Sequence, residues 1–170
     1  MKGQLSNSDS SHGPMTRLPA SSLQVRPLRA EDRAAWEVLA RGYKTFYETE
    51  ATPAEYDTAW QRLLQPAKTM ADGVYGLGAH VDGQLVGITH YLFHTHVWTP
   101  RACYLQDLFT AHEMRGRGVA RALIEAVREA SRAARATRCY WLTHETNTTA
   151  RTLYDKLAKF QGFIRYELPL

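Results

Sequence analysis

The stretch Tyr104-Leu105-Gln106-Asp107-Leu108-Phe109-Thr110, followed four residues later by Arg115-Gly116-Arg117-Gly118-Val119-Ala120, decides how this chain is read. The first piece is a mostly apolar run with two polar residues embedded, and it reads as a strand over 103–110. The second holds two glycines among arginines. Beyond it, Ala120, Leu123, Ile124 and Val127 fall at i, i+3, i+4 and i+7, so the spacing predicts a helix over 118–134. Strand, glycine loop and helix in that order have a chemical meaning. Glycines let a ligand approach the backbone closely. The first amides of a helix lack intrahelical partners and carry the positive end of its dipole. Together they make an anion site suited to phosphate, and Arg115, Arg117 and Arg121 add charge at that end. The loop lacks the GK[ST] of a Walker motif and the spacing of a GxGxxG dinucleotide loop.

Outward from this centre the pattern continues. Residues 139–143 form a short apolar run without alternation, as expected of a strand covered on both faces. Asn147 is a helix cap, and Ala150, Leu153, Tyr154 and Leu157 form the next helical stripe. Gly162 ends that connection, and residues 163–168 read as a last strand. Towards the N-terminus, Asp82-Gly83 is a two-residue hairpin turn between strands over 75–81 and 84–94. Thr99-Pro100-Arg101 turns the chain into the strand over 103–110. Further upstream lie an edge strand with Leu23, Val25 and Pro27, a helix over 31–43, and a second helix from Pro53 to Leu64 that Pro66 ends. The expected fold is α/β: a single domain with a mixed, mostly antiparallel central sheet flanked by helices. The helical crossover after residue 110 makes the strands over 103–110 and 139–143 a parallel pair.

Composition bounds the function. The 170 residues suffice for one domain and one core. Hydrophobic and charged contents of 44% and 22% are those of a globular chain rather than a disordered one. No apolar run reaches the ~20 residues of a membrane span, and no secretory leader is evident, so a cytoplasmic protein is expected. Cys103 and Cys139 do not form a disulfide framework or a CxxC pair. Residues 1–22 are rich in Ser, Gly, Pro and Asn without apolar period and read as a flexible tail; the domain spans 23–170. The net charge of +4 is compatible with an anionic cofactor or with nucleic acid.

Arg115-x-x-Gly118-x-Ala120 resembles the (Q/R)xxGx(G/A) pyrophosphate loop of the GNAT acetyltransferase superfamily. The run 105–110 is similar to that superfamily's splayed central strand, Asn147 to Tyr154 to its NxxAxxLY helix, and Gly162-Phe163 to the Gly-Phe after it. Within the superfamily, Tyr140-Trp141-Leu142-Thr143 followed by Glu145-Thr146-Asn147 looks most like the histone and polyamine acetyltransferase-like group. The resemblance implies a GNAT-like acyl-CoA N-acyltransferase fold and direct acetyl transfer from acetyl-CoA to a primary amine, with no acyl-enzyme and no metal. It further implies that the backbone around Leu108, Phe109 and Thr110 pairs with the pantetheine arm. The amides of Gly116, Arg117, Gly118, Val119 and Ala120 would hold the pyrophosphate, with Arg115 and Arg121 beside them. Asn147 would bond the pantetheine, and Tyr154 would protonate the departing thiolate. It also implies a homodimer, with the strand over 163–168 as one route to it.

The general base is not legible. Many members of that superfamily carry a strand glutamate where this chain has Gln106, and a glutamine cannot take a proton. A regular strand turns Asp107 to the opposite face, which leaves His90, His144 and Glu145 as candidates. The acceptor pocket is expected from the first two helices and the segment between them, which offer Tyr43, Phe46, Tyr47, Glu48, Glu50, Tyr56 and Trp60. Aromatic faces and acids suit a cation, so a small amine, a polyamine or a lysine side chain is favoured. His94 and His96 share a strand face but lack a third metal ligand. Arg128, Arg132, Arg135 and Arg138 alternate with Glu125 and Glu129 and read as a solvated helix face rather than a nucleic-acid surface. The competing reading is a non-catalytic acyl-CoA-binding module or a basic nucleic-acid-binding protein.

Overall fold

The computed structural model describes residues 22–65 and 73–170. Its elements run β1 (Leu23–Pro27), a 3-10 turn (Ala30–Asp32), α1 (Arg33–Phe46), α2 (Pro53–Leu64), β2 (Val74–Val81), β3 (Gln84–His94), β4 (Ala102–Thr110), a 3-10 turn (His112–Met114), α3 (Val119–Ala133), β5 (Cys139–Tyr140) and α4 (Thr148–Tyr154). The sheet order is β1-β2-β3-β4-β5. The first three pairings are antiparallel and β4–β5 is parallel, as the crossover through α3 requires. Among the described residues, no helix is long and apolar enough to cross a membrane.

Each face of the sheet is covered by its own apolar cluster. On one side, α3 lays Val119, Leu123, Ile124 and Val127 against Leu77, Ala79, Phe93, Cys103 and Leu105. The buried stripe starts at Val119 rather than at Ala120. On the other, Trp36 and Leu39 of α1 and Tyr56 and Trp60 of α2 pack with Leu28 and Ile88. Helix α2 begins where Pro53 requires. The Thr52 hydroxyl accepts from the Glu55 amide while the Glu55 carboxylate accepts from the Thr52 amide, a reciprocal cap. Helix α1 runs three residues past its expected end at residue 43, and just beyond it the Tyr47 ring lies tilted against Tyr43 at 4.9 Å.

Three expectations are corrected. Residues 163–168 form no strand: Phe163, Ile164, Tyr166 and Leu168 are all exposed, and the segment has no ladder partner among the described residues. The apolar run over 139–143 supplies only two paired residues, Cys139 and Tyr140, before the chain leaves the sheet. Tyr56 and Trp60 belong to the core rather than to an open pocket; each is less than a tenth exposed and lies against Trp36. Pro66 and the proposed tail, apart from Ser22, lie outside the described residues.

Candidate active site

The site begins with a failure of pairing. Strands β4 and β5 are joined only at Cys103–Cys139 and Tyr104–Tyr140. β4 runs on to Thr110, so its β5-facing edge is left without a strand partner among the described residues. Unpaired backbone donors and acceptors on such an edge are a template for another extended chain. The gap opens into a small cleft. Tyr43 and Tyr47 line it from α1, Leu105, Gln106 and Leu108 from β4, Trp141 and Leu142 from the chain beyond β5, and Tyr154 from α4.

A bulge in β4 shapes the cleft floor. Tyr91 of β3 opposes Leu105 and His90 opposes Asp107, which leaves Gln106 without a partner and exposed. On a regular strand Asp107 would share the face of Leu105, against α3. The extra residue turns it to the α1 face instead. There His90 Nδ1 lies 2.8 Å from Asp107 Oδ2, and the Tyr43 hydroxyl donates to the same carboxylate. Burial pushes Asp107 up, but its hydrogen bond and charge interaction with His90, the hydrogen bond from Tyr43 and the charge of Lys44 outweigh it, so the carboxyl is held below its ordinary range. Burial, and then the adjacent carboxylate, push the Tyr43 phenol far up.

At the other end of β4 the loop delivers the chain to α3. Gly118 caps the helix at φ 92°, a left-handed conformation that favours glycine. No side chain caps α3, and its first turn carries no acid. A β-carbon on Gly118 would meet nothing within 4 Å, so the space before the helix end is open. The buried Thr110 Oγ1 has no partner among the described residues. An uncapped helix end, an open approach and an orphaned hydroxyl fit a phosphate-bearing ligand with an extended amide arm. Arg115 does not point forward: its Nε donates to the Thr110 carbonyl at 3.4 Å, and its guanidinium lies over Phe109. Arg121 pairs loosely with Glu125, and Arg117 is exposed.

The chain matches the family model described as Acetyltransferase (GNAT) family over residues 35–160. It belongs to the GNAT acetyltransferase family. It is 30% identical over 135 residues to D-amino-acid N-acetyltransferase HPA3 of Saccharomyces cerevisiae, covering 79% of this chain and 83% of that one. Two solved structures share the fold. Aminoglycoside N-acetyltransferase AAC(6')-Iy, in complex with CoA, superposes with a TM-score of 0.74 at 19% identity, over 90% of this chain and 99% of that one. Ribosomal-protein-alanine N-acetyltransferase of Brucella melitensis biovar Abortus 2308 superposes with a TM-score of 0.69 at 22% identity, over 88% and 100%. The protein is therefore an acetyl-CoA-dependent N-acetyltransferase, which retires the non-catalytic alternative.

Within this GNAT enzyme, Leu108 and Tyr154 line the cleft, while Phe109 faces the α1–α2 cluster and Thr110 ends β4 beside β3. Tyr154 stacks edge-on against Trp141 at 5.3 Å, and its hydroxyl forms no hydrogen bond among the described residues. Burial, with a smaller contribution from Tyr47, pushes it up to about 12. Asn147 is the cap of α4: its Oδ1 accepts from the Ala150 amide at 3.4 Å and its Nδ2 donates to Thr143 Oγ1 at 3.0 Å. One amide hydrogen and one lone pair remain for a ligand.

The base candidates separate. His144 is exposed and stacks on Tyr47 at 5.5 Å, at the cleft rim. Glu145 is exposed. His90 is buried and both its ring nitrogens are engaged, one by Asp107 and the other by the Trp36 indole. His94 meets Tyr140 and His96 meets the Trp98 amide. No group of three or more His, Cys, Asp or Glu suited to a metal occurs among the described residues. Arg128 and Arg132 both pair with Glu129, as a solvated helix face predicts. Sequence reasoning missed Asp107, because nothing in the residue pattern announces a bulge at Gln106.

Proposed function

We propose that the enzyme acetylates the primary amino group of a small cationic acceptor, taken into the cleft between β4 and β5. The observation that carries this reading is the cleft's composition: an open gap between Tyr43, Tyr47 and Tyr154, with one ionised carboxylate, Asp107, hydrogen-bonded to the lining Tyr43. A cationic amine is drawn to such an aromatic and anionic surface. Two named relatives support a small amine, one acting on D-amino acids and one on aminoglycosides.

Acetyl-CoA supplies the activated acyl group as a thioester. In this reading the amides of residues 116–120 and the dipole of α3 bind its pyrophosphate, and the free edge around Leu108 and Thr110 pairs with the pantetheine arm. The remaining hydrogen-bonding capacity of Asn147 serves the same arm. Arg115, through Thr110 and Phe109, braces the loop from behind, while Arg117 and Arg121 face the anion. The ammonium first gives a proton to solvent water; the neutral amine then attacks the thioester carbonyl within a ternary complex, and the second proton it sheds as the amide forms restores the Tyr154 phenol through water. No side-chain nucleophile is needed, and the buried Cys103 plays no part. Tyr154 gives its phenolic proton to the sulfur as the carbon–sulfur bond breaks. Its raised pKa keeps that proton in place across the physiological range.

We propose in addition a cytoplasmic homodimer. Its support is the exposed apolar set Phe163, Ile164, Tyr166 and Leu168 after α4. Light scattering at micromolar concentration checks it, and a purely 19.3 kDa species would count against it.

The activity is tested by thiol release from acetyl-CoA across a panel of polyamines, aminoglycosides, D- and L-amino acids and a lysine peptide. Saturating turnover with a small amine is the expected result. Turnover confined to the lysine peptide would replace the small acceptor by a protein one.

A further inference from the structure

We propose that Asp107 is the residue that receives the ammonium group of the acceptor, and that Trp36, His90 and Tyr43 hold its carboxylate in place for that purpose. The inference rests on the reading of the cleft as an amine acetylation site and names the residue that selects the amine.

The direction of the hydrogen bonds carries the argument. An indole nitrogen only donates, so the 2.9 Å contact between Trp36 Nε1 and His90 Nε2 fixes that imidazole nitrogen as an acceptor. His90 is then neutral, with its proton on Nδ1, and Nδ1–H donates to Asp107 Oδ2 at 2.8 Å. The Tyr43 hydroxyl donates to the same carboxylate. Every bond in the chain Trp36–His90–Asp107–Tyr43 thus runs towards Asp107. Among the described residues, His90 is the one group within ion-pair distance of that carboxylate, and the indole keeps it uncharged. A neutral network stabilises an anion by hydrogen bonds without cancelling its charge.

An ionised carboxylate in so apolar a setting is costly to keep without a cation. Trp36 is 2% exposed and His90 9% exposed, while the Asp107 side chain retains 20% exposure. Its chain neighbours Gln106 and Leu108 both line the cleft, as does Tyr43, which touches the carboxylate. Two donated hydrogen bonds, from His90 and from Tyr43, favour the ionised form of the carboxyl over the neutral one, so the group holds its negative charge. Its chemistry is that of an anchor: it accepts an N–H bond from the amine before and after the amine loses its proton. Gln106 beside it supplies no charge, so Asp107 takes over the attraction of the acceptor.

The test is steady-state kinetics on Asp107→Asn, which keeps the shape and can still accept from His90. The KM for the amine should rise about 10- to 100-fold, the range for losing a charged hydrogen-bond partner, while the KM for acetyl-CoA stays put. His90→Phe should raise the amine KM less, and adding it to Asp107→Asn should cause little further loss, because it acts through the carboxylate. An aromatic amine, uncharged at neutral pH, should lose much less than an alkylamine of similar size. A second measurement uses the wild-type enzyme alone. A quaternary ammonium ion of the acceptor's size should compete with the amine and not with acetyl-CoA, whereas its neutral carbon isostere should not compete. An Asp107→Asn enzyme with an unchanged amine KM, or equal inhibition by the cation and its isostere, would overturn the assignment. Wild-type turnover on the amine panel reports separately on the proposed function.

Discussion

Gly87 of β3 lies directly beneath Val119, the first residue of α3: a β-carbon on the glycine would stand 2.7 Å from Val119 Cγ1. The same atom would be 3.2 Å from Leu123 Cδ1 and 3.2 Å from the Phe109 carbonyl oxygen. The sheet thus sets the height of the helix end that faces the anion. Gly87→Ala must lift that end, and overpacking of this kind costs about 1–3 kcal/mol. We expect a lower melting temperature together with weaker acetyl-CoA binding, read by thermal denaturation with and without the cofactor. Unchanged affinity would mean that the sheet and the helix end are independent.

Gly118→Glu tests the loop itself. At φ 92° any side chain is strained, by about 1–2 kcal/mol, and a carboxylate there faces the pyrophosphate. The open space around the glycine leaves room for the side chain, so the fold should survive. Calorimetry should show acetyl-CoA binding abolished in a folded protein. Wild-type affinity would remove the phosphate site from the loop.

Tyr154→Phe separates catalysis from packing. The ring and its edge-on contact with Trp141 remain, and only the hydroxyl is lost. The turnover number should fall by about 10²- to 10⁴-fold with little change in the KM for acetyl-CoA. The melting temperature serves as the control. A KM that rises while turnover holds would make Tyr154 a binding residue.

Asp32 links acid stability to one buried cluster. Its carboxylate accepts two bonds from Arg26, at 2.7 and 3.0 Å, one from the Arg29 amide at 2.8 Å, and meets His80 at 3.2 Å. Burial opposes its charge, but these bonds win and hold it at about 2. A depressed carboxylate stabilises the fold above its unfolded value and loses that contribution as pH falls towards the folded one. The cluster therefore supplies about 2 kcal/mol at neutral pH that fades between about pH 4 and pH 2. Asp32→Asn should lower stability by a similar or larger amount at pH 7 and flatten the acid limb. Denaturant unfolding at pH 7 and pH 3 checks both.

Much of this was legible before any coordinates. The helical stripe through Leu123, Ile124 and Val127, the Asp82-Gly83 hairpin and the Pro53 helix start are local, because each depends on residues within a few positions of one another. The proposed anion site at the glycine loop is likewise a local reading: its conformational freedom and the dipole behind it are properties of a short segment. Residues 163–168 show the limit of local reading. Ile164, Tyr166 and Leu168 alternate with Arg165 and Glu167 as a strand would, yet a strand forms only where another edge accepts it, and none does so here.

The sequence by itself determined the order of the elements as far as the helix that carries Tyr154, the apolar stripe of α3 and the family resemblance of the loop and of that last helix. Tertiary structure alone decided which polar residues meet. Asp107, His90, Trp36 and Tyr43 come from two strands and a helix, and they converge because β4 takes in one unpaired residue at Gln106. A side chain's face on a strand alternates with period two, so a single added residue reverses it for everything that follows. Whether the partner strand absorbs that residue depends on its register with β3, which no local pattern in β4 encodes.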